Sequence, residues 1–244
     1  ISVGIHGDAR AAAAALIERL TGRSLACIAN QAERQTKIAA EKGGWEQELS
    51  AWTHERDPYS LEVAKGSKLM HPRQMLRELE KAMPKHAMVS TDIGNICSIS
   101  NSYLRFDEPR SMFAAMSFGN CGYAFPVACG AKIAAPDRPM IAYVGDGAWG
   151  ISLNELLTCA REKIGVTVVV FNNGQWGAEK KNHVDFYSQR FQAVDLVSPS
   201  WAGVAKAFGC EGVTVDQLSD VGPALQASVQ AQSEGKTTIL EMMV

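Results

Sequence analysis

The sequence predicts an α/β fold, a doubly wound parallel sheet, and three observations carry that prediction. From about Leu69 onward, short apolar or β-branched runs alternate with helical patterns. The two clearest runs, Met140–Val144 and Val166–Phe171, flank residues 152–161, whose apolar positions recur at helical spacing, so the three segments read as a βαβ unit. The first of these runs leads into Gly145-Asp146-Gly147 and the second into Asn172-Asn173-Gly174. Polar turn residues therefore gather at the carboxyl ends of adjacent strands, where open α/β sheets bind ligands.

Taken in order, Ser2–Gly7 reads as a strand, Ala9–Leu20 as a helix, and residues 30–55 as a charged amphipathic helix. Asp57-Pro58 through Gly66-Ser67 reads as a linker, which divides the chain into residues 1–66 and 67–244. Beyond it come a helix over Pro72–Met83, strands over Met88–Thr91 and Met112–Ala115, and a helix over Gly122–Ala135. The central βαβ unit follows, its crossover expected to be right-handed. A strand at Val213–Val215, a helix from about Gln217 and a strand at Thr237–Met242 complete five or six strands.

Composition sets limits on function. The 244 residues suffice for one large or two smaller domains, and 46% hydrophobic with 20% charged residues is ordinary for a globular protein. A net charge of −2 gives no electrostatic case for nucleic acid or an anionic membrane. No apolar run approaches the ~20 residues that span a bilayer. The short Ala11–Ile17 run, preceded by Asp8 and Arg10, reads as helix rather than signal peptide. Six cysteines, at 27, 97, 121, 129, 159 and 210, show no Cys-x-x-Cys spacing and read as buried, reduced thiols of a cytoplasmic protein.

The strand-end residues suggest a chemistry. Gly145 and Gly147 let the backbone turn sharply and approach a phosphate, and the helix start around Ala148 offers unpaired N–H groups. Asp146 would repel a bare diphosphate, so a cation must stand between them. Mg²⁺ suits the position, because it takes oxygen ligands and shares them with phosphates. The Asp146 and Asn173 side chains supply two oxygens, and a backbone carbonyl near Gln175 a third. Gly145, Gly147 and Gly150 also satisfy a dinucleotide-binding spacing. That reading expects an acidic residue at the end of the next strand, where Asn172-Asn173 stands. The other alternative is an ordinary βα turn with an incidental Asn-Asn-Gly turn, and either half alone would be weak.

Together, Gly-Asp-Gly and Asn-Asn resemble the signature of thiamine-diphosphate enzymes. The run Ser117-Phe-Gly119-Asn120-Cys121-Gly-Tyr123 through Lys132 is similar to the Gly-rich turn and helix of the acetolactate-synthase-like group. Within that group, Gln175–Tyr187 resembles the sulfoacetaldehyde acetyltransferases, whereas acetolactate synthases carry a more apolar segment there. The likeness extends to Thr91–Asn95 and to the closing Gly235–Met243 stretch.

The resemblance implies thiamine diphosphate and Mg²⁺ as cofactors. It implies that the Gly119 carbonyl and Cys121 N–H grip the aminopyrimidine, with Asn120 between them, while the Cys121 side chain props the bent cofactor. The family more often has methionine, leucine or isoleucine at that prop, and a small residue packed in a tight turn is the other reading. Gly94 and Asn95 resemble a second loop on the diphosphate, although Asn95 equally suits a helix N-cap. Residues 1–66 resemble the tail of a central domain plus linker. The glutamate that activates the cofactor comes, in this family, from an N-terminal domain of a neighbouring subunit, and no segment here resembles it. The chain is thus expected to be a C-terminal portion of a homo-oligomer, holding the diphosphate and metal half of the site and no catalytic residue of its own. The implied reaction converts sulfoacetaldehyde and phosphate to sulfite and acetyl phosphate. Alternatives are a 2-oxoacid lyase like acetolactate synthase, or a non-catalytic module that binds the cofactor. Lys180 and Lys181, just past the metal loop, are candidates for recognising the sulfonate or phosphate, although mixed charges at helical spacing also describe a solvated face.

Overall fold

The computed structural model describes residues 3–23, 30–54 and 69–244. The chain divides into two compact units, Ile1–Ala51 and Trp52–Val244. The expected linker at 57–67 and Cys27 lie outside the described residues.

In the first unit, α1 (Ala9–Leu20) starts where Asp8 Oδ1 accepts from Ala11 N at 2.9 Å, a side-chain cap for one of the unpaired donors of the first turn. The second helix, α2 (Gln31–Trp52), matches the charged amphipathic segment read from the sequence. The strand expected at residues 2–7 is not formed over 3–7. Val3 and Ile5 are exposed there, and no strand among the described residues of this unit offers hydrogen-bonding partners. A β-strand is completed only by its neighbour's ladder, so alternation alone does not make one.

The second unit follows the predicted alternation: α3 (Pro72–Ala82), β1 (Met88–Thr91), α4 (Asn95–Ser100), β2 (Met112–Ala114), α5 (Ala124–Ala134) and β3 (Met140–Gly145). It continues with α6 (Asp146–Ser152), α7 (Leu156–Glu162), β4 (Thr167–Asn172), α8 (Gly177–Phe186), α9 (Trp201–Ala207), β5 (Glu211–Val215), α10 (Leu218–Ala231) and β6 (Thr238–Met243). The six strands form one parallel sheet in the order β2-β1-β3-β4-β6-β5. Every residue of β1 and β4 is buried, as expected of strands covered on both faces, and in β1 this includes the polar Ser90 and Thr91. Met140, Ala142, Val144, Val166, Val168, Val170 and Ile239 alternate onto one face with Phe125 and Ala128 of α5, Trp149 of α6 and Leu156 of α7. The residues between them face the opposite layer. There Thr167 Oγ1 donates to Ser228 of α10 at 3.0 Å, and Gln232 Nε2 donates to Thr167 Oγ1 at 2.9 Å. Helices on both faces make the fold doubly wound.

One boundary differs from the sequence reading. The crossover helix was expected to begin near Ser152, but helix starts at Asp146 itself and is interrupted by a 3₁₀ turn at Leu153–Glu155. Gly147 and Gly150 are weak helix formers, and local propensity yields here to packing.

Candidate active site at the switch point of the sheet

From β1 the chain steps outward to β2, then returns past β1 to β3 and moves on to β4. The winding therefore reverses between β1 and β3, and at such a point the loops leaving neighbouring strands diverge and open a crevice. The residues delivered there are Asp92–Asn95 after β1, Asp146 after β3 and Asn173–Gln175 after β4. A cavity of about 780 Å³ fills the crevice. It is lined by Gly94, Asn95, Gly119, Cys121, Gly145, Asp146, Gly147, Ala148, Asn173, Gln175, Lys180 and Lys181, so all the sequence candidates but one meet in one place. Asn120 is not part of the lining.

Asp146 is 2% exposed, and its carboxylate ties two loops together. Oδ1 accepts from Gly147 N at 3.1 Å and Oδ2 from Gly174 N at 2.8 Å. Burial pushes this carboxyl up to about 6, against the opposing pull of the Gly174 and Gly147 N–H groups. Asn173 Oδ1 accepts from Gln175 N at 3.2 Å, folding the loop back on itself. Gln175 Oε1 is shut off from solvent with no hydrogen-bond partner, an acceptor left available beside the carboxylate. The strand-end loop is pinned from outside, where Trp176 N donates to Val194 O and Leu196 N to Gly174 O, both at 2.7 Å. The donors gathered here are all oxygens, one carboxylate and two carboxamides, which is the chemistry of a hard divalent cation.

Close packing fixes the same loop. A methyl group on Gly147 would lie 2.9 Å from ring atoms of Trp176, so only glycine lets the indole cover the turn. A methyl on Gly177 would lie 3.3 Å from the amide nitrogens of both Asn95 and Asn173, which places those two carboxamides together across the crevice. Gly94, at φ 132°, is the N-cap of α4 and Asn95 its first residue, so the N-cap reading of Asn95 does not hold.

Asp92 organises the other wall. It is fully buried, and Oδ1 accepts from Tyr123 N at 2.7 Å and Ala124 N at 3.2 Å, starting α5 directly after the Gly119–Gly122 turn. Burial raises its carboxyl, opposed by the N–H groups of Tyr123, Ala124 and Gly122. Cys121 sits at the end of that turn with Sγ 3.7 Å from the Ile93 carbonyl. Burial raises its thiol, with further contributions from the charges of Asp92 and Glu179. Among the described residues the other cysteines, 97, 129, 159 and 210, are also free thiols.

The sequence reading missed His71, Arg73 and Trp176, which also line the cavity. Trp176 was within reach as the residue following Gln175. His71 and Arg73 enter because Met70 N donates to Met243 O at 3.0 Å, which lays the start of α3 beside the end of β6. Only the sheet order reveals that neighbourhood. Lys180 donates to Asp195 Oδ1 at 2.9 Å, and Lys181 to both oxygens of Asp185 at 2.5 and 2.7 Å.

Comparison with known proteins follows the same lines. Residues 92–242 match the family model described as thiamine pyrophosphate enzyme, C-terminal TPP binding domain. Two proteins named sulfoacetaldehyde acetyltransferase, from Castellaniella defragrans and Alcaligenes xylosoxydans xylosoxydans, are 60% and 61% identical over the whole of this chain. The chain spans 42% of the length of each. Among solved structures, the Rhodococcus jostii RHA1 thiamine diphosphate-dependent 4-hydroxybenzoylformate decarboxylase superposes with a TM-score of 0.68 at 23% identity. That match covers 73% of this chain and 33% of the other, and it bears on fold alone. No helix among the described residues is long and apolar enough to cross a membrane. With its sheet, its strand-end motifs and the match over 92–242 in agreement, the chain belongs to the thiamine pyrophosphate enzymes and carries their C-terminal cofactor-binding domain.

Proposed function

We propose that this chain is the C-terminal portion of a thiamine-diphosphate- and Mg²⁺-dependent acetyltransferase that converts sulfoacetaldehyde and phosphate to acetyl phosphate and sulfite. The observation that carries the reaction is 60% identity across the full chain to a protein named for it. The convergence of Asp146, Asn173 and Gln175 on one cavity supports the metal. In this reading Asp146 and Asn173 give side-chain oxygens to Mg²⁺. Gln175 gives a third, and its unpartnered Oε1 adds a side-chain candidate to the backbone carbonyl read from the sequence. The N–H groups around Gly147 and Ala148, with Gly94 and Asn95 opposite, hold the diphosphate. The Gly119–Cys121 turn takes the aminopyrimidine, and the Cys121 side chain stands beneath the bend. Bound thiamine diphosphate supplies the carbon nucleophile that adds to the aldehyde. The residues of this chain position the cofactor, balance its charge through the metal and cover the turn with Trp176. Residues 1–66 form the end of a central domain and a linker. The assembly is a cytoplasmic homo-oligomer in which a neighbouring subunit brings the activating glutamate.

The test is turnover by the whole protein containing this chain. Sulfoacetaldehyde with phosphate is expected to yield sulfite and acetyl phosphate in equal amounts, with pyruvate alone giving no acetolactate. Acetolactate from pyruvate, with no phosphate-dependent product from sulfoacetaldehyde, would replace the acetyltransferase by a 2-oxoacid lyase.

A further inference from the structure

Among the described residues, the cavity is lined by three side chains with a fixed positive charge, and they differ in what already neutralises them. Lys180 is paired with Asp195 and packs its ammonium 5.4 Å from the Phe191 ring centroid. Lys181 is paired with Asp185 one turn along α8. Arg73, at the second residue of α3, has no carboxylate within ion-pair distance among the described residues. Its guanidinium carbon lies 5.3 Å from the centroid of the Trp52 ring, a contact that orients the planar group without cancelling its charge. Its Nη1 is shut off from solvent and has no acceptor. A buried guanidinium N–H without an acceptor is costly, and a small rotation of the guanidinium toward the cavity it lines would let an arriving anion relieve that cost. The neighbouring His71 Nδ1 is occupied in capping the helix, accepting from Arg73 N at 3.2 Å.

We infer that Arg73 is the recognition residue for the oxyanion head of a substrate, the sulfonate of the aldehyde or the phosphate acceptor. Both present three outward oxygens to a planar donor fork, the geometry in which arginine outperforms a point charge. The Trp52 contact holds the fork, and the apolar wall of Leu76, Ile96 and Ile99 beside it lowers the local dielectric and strengthens the pairing. Lys180 and Lys181, each engaged with a carboxylate, shape the mouth instead. The inference rests on the proposed acetyltransferase reading.

The experiment uses the whole protein loaded with Mg²⁺ and thiamine diphosphate, as wild type, Arg73→Met and Arg73→Lys. Binding of inorganic phosphate, and separately of a non-reactive alkyl sulfonate, is measured by calorimetry and needs no turnover. Steady-state KM values for phosphate and sulfoacetaldehyde are measured beside it. Arg73→Met is expected to weaken at least one anion tenfold or more and to raise the matching KM, with cofactor affinity unchanged. Arg73→Lys restores part of the loss, since it keeps the charge and loses the fork. A change confined to phosphate assigns the acceptor, and one confined to the sulfonate assigns the aldehyde. The inference is overturned if both anions bind both variants as they bind wild type, or if cofactor affinity falls in place of anion affinity. It is equally overturned if Arg73→Met lowers only the melting temperature. If Arg73→Met does not fold, the anion affinities of Arg73→Lys decide alone, and wild-type values there overturn it. A wild-type protein that binds anions through Arg73 yet makes no acetyl phosphate would count against the acetyltransferase reading and leave the anion site standing.

Discussion

Asp146 is buried where a carboxylate is expensive, and the cost shows in its proton affinity. Its carboxyl titrates at about 6 in the folded chain, against an ordinary value near 4. The folded state therefore holds a proton that the unfolded state has lost between those two values. The metal-free chain loses stability as pH rises through that window, and under the proposed function Mg²⁺ binding offsets the loss by neutralising the charge. Two outcomes are expected. Mg²⁺-dependent cofactor affinity should fall as pH drops below about 6, with proton release on binding above background in buffers of different ionisation heat. Asp146→Asn should abolish metal-dependent binding, while in the metal-free protein the relief of the buried charge is offset by an amide N–H turned against the Gly147 or Gly174 N–H. Asp146→Ala should abolish binding as well, and Asn173→Ala should weaken it strongly. Wild-type cofactor affinity in either Asp146 variant, measured by fluorescence titration, would remove the residue from the metal site. Gly147→Ala acts by another route. Its methyl displaces the Trp176 ring from the turn, and a loss of cofactor affinity with Asp146 intact would show that the indole's cover matters.

At the scale of the element, α9 depends on one buried carboxylate. Glu241 of β6 is 2% exposed and accepts from Trp201 N at 3.0 Å and Ala202 N at 3.2 Å, the first donors of the helix. Asn172 Nδ2 at 2.9 Å, Thr214 Oγ1 at 3.0 Å and Ser200 Oγ at 3.2 Å complete its shell, so a single side chain joins β4, β5, β6 and α9. Burial pushes its proton affinity up, and the surrounding donors more than reverse that, leaving the carboxyl below its ordinary value. Its stabilisation is present above the unfolded carboxyl's pKa and is lost as pH falls through the depressed folded value. Glu241→Gln should cost about 2–3 kcal/mol in urea unfolding at neutral pH, since an amide places N–H groups against existing donors. The difference from wild type should shrink toward the acid end, and an unchanged midpoint at neutral pH would mean that the cap carries no stability. The network was invisible in the sequence, where Glu241 sits inside an apolar run. The central strands were legible, because β3 and β4 are covered on both faces and are dominated by apolar runs. The failed strand at residues 3–7 shows the reverse, a pattern without a partner. The grouping of Asp146, Asn173 and Gln175 at one cavity was legible because they close adjacent strands. Arg73 was not, since α3 is brought to the site by tertiary contacts distant in sequence, among them the pairing of Met70 with Met243.

At the scale of the molecule, the cavity presents, under the proposed function, the diphosphate and metal side of a cofactor site, and this chain spans 42% of relatives 60% and 61% identical to it. Under the proposed function, activation of the cofactor calls for a carboxylate against its aminopyrimidine. The buried acids of the crevice walls have other duties, Asp92 starting α5 and Asp146 bridging to Gly174. Both are tied to the backbone of the crevice walls, so position and charge balance are what this chain contributes under the proposed function. Residues 1–244 alone are therefore expected to show no turnover with sulfoacetaldehyde and phosphate, at any Mg²⁺ or cofactor concentration. Supplying in trans the N-terminal part of one of the two 60%-range relatives should restore acetyl phosphate formation, in proportion to complex formed. The pair of measurements separates two causes of silence. A chain that has lost its fold stays silent after complementation, whereas a chain missing only the activating acid recovers. Phosphate-dependent acetyl phosphate from purified residues 1–244 would show that the activating acid lies within this chain, and Glu179, which lines the cavity close enough to act on Cys121, would be the first residue to replace.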